Sequence, residues 1–296
     1  MPKHTLMRAL AASLTVAAIY FTGSYAPLNE RWDSIVYSMA FGHYFIAFLF
    51  SQKQLKQVTD QPHFVWKTMG LLSLGGLFYF RQWLPLLFYF GVHHAFNEVY
   101  QLDRVTKDRE NASVRALRPA GAAVNLSVFL FLVRNQLYID RRHPEAGFPF
   151  LPLAAALALS YAVYFYWLWR ASRTLSLTEL IDNGAAEIVS LFMVYLSFHW
   201  VIRSNDIVAY HFIYWALRPV PGLAQTRPTE LLKYSALTAF LFGFFFLVSP
   251  LGAASYPLQG SLFHKQFILW SYVHITTSFA LSDFHPRGIV RFFRPS

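Results

Sequence analysis

Apolar stretches close in length to the thickness of a bilayer's hydrocarbon core recur along the whole chain, and they limit its fold more than any other feature. They fall at residues 9–25, 34–51, 67–80, 83–101, 119–133, 148–169, 185–202, 207–217, 234–248 and 261–282. A run of that length immersed in hydrocarbon crosses as a helix, which satisfies its own backbone N–H and C=O groups. The expected fold is therefore all-α, a polytopic integral-membrane helical bundle with about eight to ten membrane segments, two of them short or re-entrant. A single membrane domain over residues 1–296 is the simplest organisation, since neither an internal repeat nor a flexible linker is visible. Composition agrees: 14% of the residues are charged, against roughly 25% in a soluble domain, so a soluble globular enzyme is excluded.

The net charge of +10 needs its own account. It is not gathered into a basic, aromatic-interleaved stripe or a glycine-rich phosphate loop, so no nucleic-acid partner is expected. With ten segments and the N-terminus inside, 18 of the 25 lysines and arginines fall in inner loops, including Arg8, Lys53, Arg118, Arg170 and Arg218. Six fall in outer loops, among them Arg134, Arg141 and Arg142. That asymmetry is the positive-inside pattern, and it places both termini inside a bacterial-type inner membrane. Merging 67–80 with 83–101, or 185–202 with 207–217, would strand a basic loop outside, so each pair is read as two segments. Lys3 and Arg8, the following apolar stretch and Ser24-Tyr25-Ala26 also imitate a cleavable secretory signal. The Arg-Pro pairs at 118–119, 218–219 and 294–295 read as punctuation at helix ends.

The chain has 11 histidines and no cysteine. Thiolate metal sites, iron–sulfur clusters and c-type haem are thereby removed, and any metal must sit on imidazole, carboxylate or amide ligands. Seven histidines lie inside the predicted spans: His43, His93, His94, His199, His211, His264 and His274. His43, His93-His94, His211 and His274 share nearly one depth on four segments. An ionisable group at that depth is expensive unless it meets a partner, which makes these residues functional candidates. Neighbouring helical residues point about 100° apart, so only one of His93 and His94 is expected at a common site. His94 and Glu98, four apart, share a helix face with Asn97 beside them, offering a nitrogen and an oxygen ligand, or a ligand and its orienter. Asp206 reads as a cap of the eighth segment, with proton delivery as the sharper alternative. Glu179, Asp182, Asn183 and Glu187 read as an exposed helix start. Asp283 reads as an inner-boundary residue.

These residues point to a metal held by His43, His93 or His94, His211 and His274, with Glu98 as catalytic or orienting carboxylate. Non-haem iron is the expected metal. Haem is less favoured: His199 and His211 would sit about 120° apart even on one continuous helix and His264 and His274 about 80° apart, which argues against two stacked haems and leaves one haem open. The order of Phe41-Gly42-His43, Val92-His93-His94-Ala95, the 210–219 stretch, Tyr272-Val273-His274 and Phe292-Phe293-Arg294-Pro295 resembles the Brp/Blh family of integral-membrane β-carotene-cleaving dioxygenases. The resemblance implies iron held by His43, one of His93 and His94, and His274, with His211 a looser match. The expected function is a membrane oxidoreductase that activates O₂ against a lipophilic substrate drawn from the bilayer, such as a carotenoid, isoprenoid or acyl lipid. The alternatives from other classes are a proton- or ion-coupled carrier using intramembrane His and Glu, and a haem-binding or assembly subunit of a membrane complex.

Overall fold

The computed structural model describes residues 3–22, 30–59, 62–79, 89–99, 111–140, 150–200, 202, 204–249, 259–281 and 291–292. Among the described residues the regular structure is entirely helical: α1 (Lys3–Thr22), α2 (Glu30–Thr59), α3 (Pro62–Tyr79), α4 (89–99), α5 (Ala112–Asp140), α6 (Phe150–Ala171), α7 (Leu177–Ser197), α8 (Ser204–Leu217), α9 (Val220–Thr226), α10 (Pro228–Val248) and α11 (Gln259–Leu281). Each of the ten predicted apolar stretches overlaps a helix among the described residues, and α9 is an addition. Among the described residues, four helices are long and apolar enough to cross a membrane: 112–134 of α5, and all of α6, α7 and α10.

The lipid-like character of these helices shows in what they expose. On α6 the buried residues are Leu157, Ser160, Tyr161, Tyr164 and Ala171, one narrow stripe at helical spacing. The rest of its surface presents Leu151, Leu159, Val163 and Trp169, large apolar side chains that water would not tolerate as a continuous face. On α10 Tyr234 is buried while Leu232, Phe240, Phe244 and Leu247 are exposed. A soluble helix hides its apolar stripe; these helices reverse the pattern, as hydrocarbon solvent requires.

The chain divides into two compact units. The first comprises residues 1–33 and 94–222. In it α5 packs on α6, α7 and α8, and α1 packs on α7 and α8. Ala11 and Ala12 of α1 let that helix approach Tyr210 and Tyr214 of α8 closely, with Met7, Val189 and Ile213 around them. The second comprises residues 34–93 and 223–296, where α3 packs on α11. Its interior is aromatic: Tyr37 stacks on Phe267 at 4.3 Å between ring centroids, and Phe41 on Phe245 at 5.0 Å.

Several local expectations are corrected. Pro119 does not end a helix; it lies inside α5, which continues to Asp140. The pair 218–219 does fall between α8 and α9, as read, while 294–295 and Asp283 lie outside the described residues. Arg8 is not an inner-loop charge: it is 2% exposed, inside α1. Asp206 lies in the first turn of α8, at the helix start as read, but fully buried, where its Oδ1 accepts a 2.6 Å hydrogen bond from the Trp32 indole. Glu179 does start α7, through a capping box with Ser176. Asp182 accepts hydrogen bonds from the Thr5 backbone and hydroxyl of α1, and Asn183 and Glu187 are buried rather than exposed.

Candidate metal centre

In the first unit, α4 carries His94 and Glu98 on one face, one helical turn apart. The short helix α8 brings His211 against them. His94 Nδ1 and His211 Nδ1 are 3.5 Å apart, and Glu98 Oε1 lies 3.9 Å from the first and 3.8 Å from the second. All three side chains are buried. The point equidistant from these three atoms is about 2.2 Å from each, close to the 2.0–2.2 Å at which imidazole nitrogen and carboxylate oxygen bind zinc. Two imidazoles and one carboxylate arranged around one point are a donor set for divalent iron or zinc.

The orientation of Glu98 is set from α1. Arg8 Nη1 donates to Glu98 Oε2 and, at 3.1 Å, to the Tyr210 hydroxyl, while Nη2 donates to the Glu98 backbone carbonyl at 2.7 Å. The guanidinium also lies 4.3 Å from the centroid of the Tyr214 ring. One carboxylate oxygen is thus bound by arginine and the other, which has no hydrogen-bond partner among the described residues, faces the two imidazoles. Arg8 cancels the carboxylate charge in a place where a bare charge would be very costly. Beside His94 a cavity of about 10 Å³, room for about one water, is lined by Val128, Phe129, Ser190, Met193, Ile207 and Tyr210.

The remaining predicted ligands group separately. In the second unit the His274 ring of α11 lies 4.9 Å from the His43 ring of α2 and 5.3 Å from the His93 ring of α4, centroid to centroid. Tyr44 stacks on His274 at 4.7 Å and shares a 2.7 Å hydrogen bond with Ser271. His93 and His94 therefore both have roles in packing, in different groups, because a 100° step around α4 turns them in different directions. The set that brings three ligand atoms within reach of one ion, among the described residues, is His94, Glu98 and His211. His199 is exposed against Tyr195, and the side chain of His264 lies outside the described residues.

Sequence reasoning found His94, Glu98 and His211 but missed Arg8 and Tyr210. The available signal was a bookkeeping one: an intramembrane glutamate requires a cation, and Arg8 directly abuts the first apolar stretch. Fold and site together define a class, an all-helical protein with membrane-length apolar helices and a buried His₂–Glu group. No known protein family, curated protein or solved structure matches the chain.

Proposed function

We propose that this protein is an integral-membrane, non-haem iron oxidoreductase whose metal is held by His94, Glu98 and His211, and which acts on a lipophilic substrate from the bilayer. The observation that carries the reading is the triangle of ligand atoms, with edges of 3.5, 3.8 and 3.9 Å, closed on one side by Arg8. His94, Glu98 and His211 would hold an iron, which in a two-histidine, one-carboxylate setting would supply O₂ activation. The chain's own residues fix the ligands, neutralise the glutamate and keep the surroundings apolar. The cavity on His94 accepts a molecule the size of water or a diatomic gas. The resemblance of the histidine motifs to the carotenoid-cleaving family makes a polyene or isoprenoid the first substrate class to test.

The deciding measurement is the metal content of the full-length protein purified in detergent. One iron per chain is expected, with at least a tenfold loss in His94→Ala and His211→Ala. Zinc in place of iron would sink the O₂ chemistry, and no stoichiometric metal in any preparation would sink the metal centre itself.

A second reading is favoured by the same 3.5 Å contact between imidazole nitrogens, which is also the geometry of a His–His hydrogen bond. In that reading His94, His211 and Glu98 relay protons in a carrier. Metal-free protein that sustains a pH-dependent flux in proteoliposomes, lost in Glu98→Gln, would select it. A Soret band in the purified protein would instead select the haem-binding subunit.

A further inference from the structure

A second carboxyl in the first unit has a different environment. Glu187 stands midway along α7, a helix of membrane length, and is 1% exposed. Its Oε1 accepts a 3.3 Å hydrogen bond from Asn125 Nδ2 of α5, and its Oε2 has no hydrogen-bond partner among the described residues. No arginine or lysine contacts it there, in contrast to Glu98. The surrounding groups are neutral and rich in oxygen. Asn125 also donates to the Gly121 carbonyl at 2.9 Å, and its Oδ1 accepts from Ser190 at 2.7 Å. From α6, Tyr161 donates to the Glu187 backbone carbonyl at 3.0 Å, and Tyr164 to that of Asn183 at 2.8 Å. One turn before Glu187, Asn183 Nδ2 is likewise buried without a partner among the described residues.

The fit around the carboxyl is specific. A Cβ on Gly121 would stand 2.7 Å from Glu187 Oε1 and 2.9 Å from Val99 Cγ1, so only glycine leaves room for the group. The other titratable or charged groups that bear on it are Tyr161 and Tyr164 from α6 and the Arg8–Glu98 pair from α1 and α4, of which the arginine favours its ionisation more than the glutamate opposes it. A carboxyl in hydrocarbon that touches a glycine and an amide but, among the described residues, no cation is favoured as the neutral acid. Ser190, which orients Asn125, also lines the small cavity beside His94.

We propose that Glu187 is an intramembrane proton-binding site, with Asn125, Gly121 and Ser190 as its positioning groups, that takes up and releases one proton whether or not a metal is bound at His94. Infrared difference spectroscopy on the full-length protein in detergent tests it, by titration between about pH 5.5 and pH 9, where exposed carboxyls are already ionised. The expected result is a carboxylic-acid C=O band that loses intensity as pH rises and is missing from Glu187→Gln. Identical difference spectra in the two proteins overturn the proposal. Should Glu187→Gln fail to fold, Ser190→Ala keeps the carboxyl while removing the hydrogen bond that orients Asn125. It is expected to shift the frequency of the same band, and an unshifted band overturns the proposal equally. Both readouts are independent of metal content, so a failure here and a failure of the iron reading are distinguishable.

Discussion

Arg8 and Glu98 show how far a single pairing reaches in this protein. Removing one partner of a buried ion pair leaves an uncompensated charge and costs about 3–5 kcal/mol, whereas replacing both by apolar residues of similar size is often nearly neutral. Arg8→Met is therefore expected to lower the thermal unfolding temperature in detergent sharply, and Arg8→Met/Glu98→Met to regain most of that loss while binding no metal. A double variant as unstable as the single one would mean that Arg8 acts through its packing on Tyr214 rather than through its charge. At the second carboxyl the decisive atom is one that is missing. Gly121→Ala forces a methyl group to within 2.7 Å of Glu187 Oε1 and should cost about 1–3 kcal/mol, read as a lower unfolding temperature. An unchanged unfolding temperature would show that α5 and α7 can separate there without penalty.

Helices α4 and α8 carry the ligands of the site while α1 and α7 pack around them, and each does so for a reason visible in its sequence only in part. The start of α7 is written locally: Ser176 and Glu179 satisfy each other's backbone groups, and Ser176→Ala should cost about 1 kcal/mol, measurable by unfolding in detergent. The role of α1 is not local at all. Its Lys3–Arg8 stretch and apolar run have the form of a targeting segment, yet the helix packs on α7 and α8 and delivers the cation to Glu98. Deletion of residues 3–22 is expected to abolish metal retention and to destabilise the remainder by more than Arg8→Met does. A truncated protein that keeps its metal would remove Arg8 from the account of the site. The short helix α8 exposes none of its described side chains and buries 206–212 completely, which is why it can hold His211 and Asp206 that a lipid-facing helix could not.

For the molecule as a whole, the distribution of positive charge predicts which face is which. The chain has no cysteine, so single cysteines can be introduced without any prior substitution. A cysteine at Arg173, between α6 and α7, is expected to react with a membrane-impermeant thiol reagent from the cytoplasmic side. One at Arg142, between α5 and α6, should react from the opposite side. Labelling of both from one side would overturn the orientation and the crossing of α6 with it. The large exposed apolar side chains of α6 and α10 lead to the same measurement from another direction, since they need a hydrocarbon solvent.

The sequence by itself determined the helical class and the approximate place of every described helix except α9, because backbone satisfaction in hydrocarbon permits little else and hydropathy is recorded residue by residue. It also determined that His94 and Glu98 lie on one face, because an i,i+4 pair shares a face wherever the helix lies. Tertiary structure decided the rest. Depth along a span placed His43, His94, His211 and His274 at one level, but depth does not give the angle around the helix or the neighbour it meets, and packing sorted them into two groups. Whether a charge is a loop residue or a buried partner, as for Arg8, Asp206 and Glu187, depends on which helix faces it. That is a property of pairs of helices, which no single stretch of sequence contains.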